Sequence, residues 1–196
     1  GRLLFYPDTV PLDKHTHVVF SFLQAGQLIY HDLRQFGRLQ LYEDIEFGHI
    51  PFIKGLGPEP LDNDFTWQHL AQLLGKSSRK IKDFLLDQKR LAGIGNIYAS
   101  EILFHARIKP LKKANELSMR EVKGLHRAMQ EVLRAAIDRR GTSFSDYLDV
   151  EGREGSYKQF LQVYRREGES CFRCTTKIVR TKLGNRSTYY CPACQK

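Results

Sequence analysis

Cys171, Cys174, Cys191 and Cys194 are the four cysteines of this 196-residue chain, and they fall as Cys-x2-Cys-x16-Cys-x2-Cys at its end. The spacing suits a tetrahedral zinc ribbon: each Cys-x2-Cys turn brings two thiolates together, and a hairpin over residues 175–190 carries the second pair round to the first. Two disulfides or four unrelated thiols are the alternatives. The chain shows no secretory segment that would take it to an oxidising compartment, which favours thiolates on a metal. Four thiolates leave no open coordination position, so one structural Zn²⁺ is the expected cofactor and the ribbon must act through what it displays.

What it displays is positive charge. Residues 164–196 hold eight Lys or Arg against two acids, with Lys177, Arg180, Lys182 and Arg186 lying between the cysteine pairs. Residues 76–113 hold ten against three, whereas residues 1–75 hold five against nine, so the net charge of +9 is concentrated in the middle and at the end. A polyanion is the natural partner for this distribution, with counterion release from phosphates supplying most of the affinity, and a solvated cationic surface is the alternative. No run of 18 apolar residues occurs, so no membrane span is expected.

The elements that must position these charges change character near residue 60. Before it the pattern reads as strand: residues 17–23 and Leu28-Ile29-Tyr30 flank a turn at Gln24-Ala25-Gly26-Gln27, and Leu39-Gln40-Leu41-Tyr42 reads as a further short strand. So few strands are marginal without a packing partner, and something that should lie against them is missing from the pattern. Gly55 to Pro60 reads as a linker loosened by its glycines, with prolines that cannot join a ladder.

After the linker the period is helical. Ile81, Phe84, Leu85 and Gln88 share one face. A long helix from Ser118 to about Arg140 carries Val122, Leu125, Met129, Val132, Leu133, Ala136 and Ile137 on a stripe, opened by a Ser118/Glu121 capping box and ended by Gly141. Between them Ala92-Gly93-Ile94-Gly95-Asn96 precedes a helix that stops before Pro110. Asn96 is placed as its N-cap, and the glycines would let backbone N–H groups approach an anion at the helix's positive end. By itself this motif is more often the mark of an ordinary tight turn.

Leu85-Leu86-Asp87-Gln88, Ala92 to Glu101, and Leu161-Gln162-Val163-Tyr164 leading into the four cysteines and Gln195 together resemble the bacterial formamidopyrimidine-DNA glycosylases, relatives of endonuclease VIII that repair 8-oxoguanine. The resemblance runs over the whole chain. It implies an α+β fold: residues 1–54 as part of an N-terminal β-sandwich, a linker at 55–61, a helical domain with a helix-two-turn-helix motif at 62–160, and a zinc ribbon at 161–196. It implies base-excision repair by a glycosylase and abasic-site lyase on damaged double-stranded DNA, acting as a monomer in the bacterial cytoplasm. Lys82, Gly93, Gly95, Asn96 and Tyr98 would line the phosphate backbone, Arg186 would clamp it from the ribbon, and Glu101 would support the site. Arg34 would hydrogen-bond the orphaned cytosine and Phe36 would wedge into the base stack. Thr142, Ser143, Phe144, Ser145, Asp146 and Tyr147 occupy the position of the loop that closes over the lesion.

The chain departs from the family's pattern in three places. Ser145 stands where the family usually has Lys or Arg, and Arg165 where it usually has Gly. The family's nucleophile is an N-terminal proline followed by a glutamate and assisted by a lysine on an early hairpin, and none of these is matched. The start, Gly1-Arg2-Leu3-Leu4, resembles a point roughly 70 to 80 residues into the family. The expectation is therefore a chain that keeps damaged-DNA binding without the catalytic residues, the Gly1 amine having no neighbouring carboxylate in sequence. A non-catalytic zinc-dependent binder of distorted or abasic DNA, and more weakly an RNA-binding ribbon protein, are the alternatives.

Overall fold

A computed structural model describes residues 1–43, 49–144 and 148–196 of the chain. Two compact units make it up: residues 1–45 with 136–160, and residues 46–135 with 161–196. This division differs from the one expected from sequence, because residues 136–160 group with the N-terminal strands and the ribbon groups with the helices.

In the first unit, β1 (Arg2–Tyr6), β2 (Thr16–Phe22) and β3 (Gly26–His31) form an antiparallel sheet in the order β1-β3-β2. The hairpin expected at 24–27 is present: Gln24 and Gly26 take positive φ, and a Cβ on Gly26 would meet the Tyr6 carbonyl at 2.1 Å. The register sets Leu4 against Ile29 and Ile29 against Val19, so strand alternation puts these on one face and Leu3, Phe5, Phe20 and Phe22 on the other. Leu4 and Ile29 are buried, whereas the four residues of the opposite face are each more than a third exposed. Leu39–Tyr42 is not a strand. Despite its apolar alternation it joins no ladder, and Leu39 and Leu41 stand in solvent.

The same unit holds the end of the long helix. Gly141 N–H reaches the Ala136 carbonyl at 2.8 Å and Arg140 N–H the Ile137 carbonyl at 2.9 Å, a Schellman closure. The left-handed position that ends the helix is Arg140, at φ 58°, and Gly141 follows it at φ 82°. Ile137, expected on the buried stripe, is exposed. Thr142 bridges Ser156, and the Ser143 hydroxyl accepts from Gly155 N–H at 2.9 Å.

The second unit contains α1 (Pro51–Lys54), α2 (Trp67–Gly75), α3 (Ile81–Leu85), α4 (Asn96–His105) and most of α5 (Met119–Asp138), with the ribbon hairpin β4 (Val179–Leu183) and β5 (Arg186–Tyr190). The Ser118 and Glu121 side chains reciprocate at the start of α5 as a capping box. Val122, Leu125, Met129 and Val132 pack with Leu70, Phe84, Leu85, Ile102 and Leu103 in one core. Gln88 lies beyond α3 rather than on its face. Its side chain accepts from Gly93 N–H at 2.9 Å and donates to the Ile94 carbonyl at 3.0 Å, so it clamps the glycine turn.

The expected linker is fastened rather than loose. Gly57 N–H donates to the Gln88 carbonyl at 2.8 Å and Ala92 N–H to the Pro58 carbonyl at 3.1 Å. A Cβ on Gly57 would sit 2.5 Å from the Arg90 backbone, so only glycine allows this approach. Gly57→Ala should lower stability by about 1–3 kcal/mol through that clash. Gly95→Ala meets nothing within 4 Å and should leave stability within about 1 kcal/mol of the parent. Urea unfolding of the two variants side by side checks this; equal losses would mean that Gly57 is not a packing constraint.

Candidate nucleic-acid interface and metal centre

The four cysteine sulfurs all lie within 4.8 Å of one another, with Cys171 to Cys194 at 3.9 Å and Cys174 to Cys191 at 3.4 Å. Four ligands at a Zn–S distance of about 2.3 Å in a tetrahedron stand about 3.8 Å apart, so this set fits one zinc ion. The chain therefore carries one structural zinc site. Cys171 and Cys191 are buried in a small second core with Phe104, Val163, Ile178 and Tyr189, which seats the ribbon on α4.

Two buried ionisable side chains fix that seat. Glu101, fully buried in α4, accepts backbone N–H groups from Gln162 at 2.8 Å, Val163 at 3.1 Å and Tyr164 at 2.9 Å. Burial pushes its carboxyl pKa up, opposed by those three donors, which favour the ionised form. Gln195 adds a third tie: its carbonyl oxygen accepts from Cys191 N–H and its amide donates to the Ile108 carbonyl. Arg165, where the family usually has glycine, takes φ 60° in this segment, a conformation that glycine adopts without strain.

Lys82 is the other. It was expected to face phosphates, but it is 0% exposed, and its Nζ donates to the Ser187 carbonyl at 3.0 Å and Thr188 Oγ1 at 2.9 Å. A buried ammonium must find acceptors, and the hairpin supplies them before any outside anion can. Burial lowers its pKa from 10.5 to about 8; Asp83 opposes the fall and Arg186 adds to it.

Asn96 also differs from expectation. The N-cap of α4 is Gly95, and Asn96 is the first helical residue, its Nδ2 donating to the same Ser187 carbonyl at 3.1 Å. Its side chain therefore ties helix to hairpin. The helix start keeps no side-chain cap, and Cβ atoms on Gly93 or Gly95 would meet nothing. Gly93 needs glycine for its φ of 83°, while Gly95, at φ −100°, does not. The start of α4 thus has no side-chain cap, and its glycines put no Cβ in the way of an anion at the positive end of the helix. Arg186 stands exposed at the beginning of β5, one residue before the shared carbonyl. Tyr98 is half-buried against the helical core.

In the first unit Arg34 is exposed and Phe36 is 82% exposed. The loop that carries them winds round the buried Asp32 carboxylate, which accepts from Gly37 N–H at 2.8 Å and Arg34 N–H at 3.2 Å. Those donors, Gly37 first, hold Asp32 well below the usual carboxylate range. The Gly1 nitrogen lies 3.3 Å from Asp32 Oδ1, a neighbour the linear sequence does not reveal. Thr142 and Ser143 are buried, and the Lys158 ammonium lies 5.3 Å from the Phe144 ring centre. Ser145, Asp146 and Tyr147 lie outside the described residues.

Sequence reasoning missed Gln88 as the turn's clamp and Ser187 as the shared acceptor; the second, acting through its carbonyl, has no side-chain signature. The depressed Lys82 pKa has a sign that can be tested. Between about 8 and 10.5 the unfolded chain holds the Lys82 proton and the folded chain does not, so stability contributed at this site rises with pH across that window. Unfolding free energies taken from pH 7 to 10.5 should show the rise in the parent and lose it in Lys82→Met. The same slope in both proteins would put the titration elsewhere.

Residues 56–147 match the family model described as the formamidopyrimidine-DNA glycosylase H2TH domain, and residues 168–196 match a zinc finger found in FPG and IleRS. The formamidopyrimidine-DNA glycosylase of Desulforamulus reducens is 48% identical over all 196 residues, and the chain covers 71% of that protein. The Bacillus cereus enzyme of the same name is 40% identical over 195 residues at the same coverage. Among solved structures, Lactococcus lactis Fpg in complex with DNA containing an abasic site superposes with a TM-score of 0.90 at 37% identity, over 99% of this chain and 71% of that one. The MutM (Fpg) protein of Thermus thermophilus gives 0.87 at 37% identity, over 98% and 72%. Similarity of this degree along the whole chain makes it a member of the formamidopyrimidine-DNA glycosylase family.

Proposed function

We propose that the chain grips damaged duplex DNA in base-excision repair, serving the family's glycosylase and abasic-site lyase reaction on oxidised purines. The observation that carries this reading is the uncapped glycine turn at the start of α4, joined through the Ser187 carbonyl to a hairpin that presents Arg186. The turn offers backbone N–H groups to one phosphate and Arg186 offers a guanidinium to a neighbouring one, an arrangement suited to a bent backbone.

Arg34 and Phe36 complete the reading from the other unit. Both project outward from a loop that Asp32 holds in shape. An exposed phenylalanine beside an arginine suits insertion into a base stack with recognition of the base left unpaired, which offsets part of the few kcal/mol spent on unstacking. Residues 142–147 would cover the extruded base. None of these residues is assigned as a nucleophile; their roles are grip, wedge and cover. The same reading has the protein acting as a monomer on DNA in the bacterial cytoplasm. No helix among the described residues is long and apolar enough to cross a membrane.

The deciding experiment measures affinity for a duplex carrying one abasic-site analogue against the same duplex intact, over a range of salt. The parent chain should prefer the damaged duplex, and Arg186→Ala should reduce the salt slope by about one unit while weakening both complexes alike. An unchanged slope removes Arg186 from the phosphate contacts, and no preference for damage overturns the reading. Stripping the zinc with a chelator should abolish binding and unfold the ribbon, since metal affinity and ribbon folding draw on one free energy. Full binding retained in excess chelator would detach the metal from the interface.

A further inference from the structure

The opposite end of α4 opens into a second basic feature. The helix is ten residues long, so about 15 Å of axis separates the glycine turn from His105. A cavity of about 900 Å³ lies at this far end, lined by His105, Ala106 and Arg107 and by the face of α5 from Met119 to Glu131. Its volume is at the upper end of the range in which proteins hold ligands, about 300–1,000 Å³. An adjoining hollow of about 640 Å³ shares Arg107 and Arg120 and runs to Arg173 and Cys194 on the zinc knuckles.

Four cations edge the larger cavity: Arg107, Arg120, Lys123 and Arg127. The last three fall three and four residues apart on α5, so like charges are helical neighbours, an arrangement that weakens a helix unless something anionic lies across it. Two acids share the rim, Glu121 and Glu131, and Glu121 is already held by Lys112 at 2.6 Å. Among the described residues no ion pair engages Arg107, Arg120 or Arg127. The floor is small: Ala106, Gly124 and Ala128 line it, and a Cβ on Gly124 would meet nothing within 4 Å. Met119, half-exposed, supplies an apolar wall.

We infer that this groove is a docking site for an acidic segment of a partner protein, separate from the DNA grip. A small-residue floor with an apolar wall takes an inserted side chain, and guanidinium forks around it take the carboxylates that flank that side chain. A duplex presents a convex phosphate ridge and no side chain to fill the hollow. The site is independent of the glycine turn and of the role proposed for Arg186.

The test uses the full zinc-loaded chain and a fluorescein-labelled peptide in which Asp and Glu alternate with Phe, titrated by anisotropy with amide shifts followed by NMR. The peptide should shift Ala106, Arg107, Gly124 and Ala128, and should still bind when the chain is already saturated with the abasic-site duplex. Arg107→Ala with Arg127→Ala should weaken the peptide about tenfold or more while changing duplex affinity less than about twofold. A circular dichroism spectrum matching the parent keeps loss of fold apart from loss of site. The inference is overturned if the peptide fails to bind, if it shifts Gly93 to Asn96 and is displaced by duplex, or if the double variant loses duplex and peptide together. That last outcome would assign the groove to the nucleic-acid interface.

Discussion

A carboxylate taken wholly out of water must find donors, and Glu101 finds three in consecutive backbone N–H groups. This one arrangement fixes where the chain leaves the helices and enters the ribbon. Residues 162–164 carry no regular secondary structure, so their amides would otherwise need water or a strand partner. With those amides tied to the middle of α4, the first zinc knuckle follows at a set distance, and the hairpin it launches lies over the start of the same helix. Lys82 completes the lock from the other side, because its buried ammonium needs acceptors and the hairpin's Ser187 and Thr188 provide them. Buried ionic groups of this kind add little net stability compared with apolar replacements, but removing one partner leaves the other unmatched. Their contribution is to specify one placement of the ribbon on the helices.

The interface follows from that placement. One carbonyl, that of Ser187, accepts from both Lys82 and Asn96, so helix and hairpin meet at a single oxygen. With Gly95 at the N-cap position α4 has no capping side chain, the Asn96 amide turns to the hairpin instead, and the glycines put no Cβ against the first amides. A stable helix terminus would normally satisfy those groups itself. Here they remain available to an anion, next to the exposed Arg186.

Charge is arranged by end as well as by amount. The glycine turn and the hairpin give one end of α4 a site shaped by backbone amides, suited to phosphate. The other end is bordered by guanidinium groups around a small-residue hollow, with Arg173 donating to the Phe104 carbonyl at 2.7 Å where α4 terminates. The zinc ribbon contributes to both ends through different parts, its hairpin at one and its knuckles at the other. The metal therefore conditions both surfaces while standing in neither.

The linear chain determines the features whose residues are local. Four cysteines at ribbon spacing, the capping box at Ser118, the apolar stripe of α5 and the turn at Gln24–Gly26 are all readable because the interacting groups lie within a few residues of one another. Tertiary structure alone decides which polar groups are spent internally. The family resemblance sets Lys82 and Asn96 against phosphate, yet in the fold each side chain donates to a hairpin about a hundred or ninety residues away. Leu39 and Leu41 alternate as a strand should, but alternation does not say whether a partner strand will lie alongside, and in the fold none pairs with them. Gly57 reads as flexibility and acts as close packing, since only the folded chain brings the Arg90 backbone against it. Periodicity and spacing report on neighbours in the chain; hydrogen-bond partners at long range are chosen by burial, and burial is a property of the whole fold.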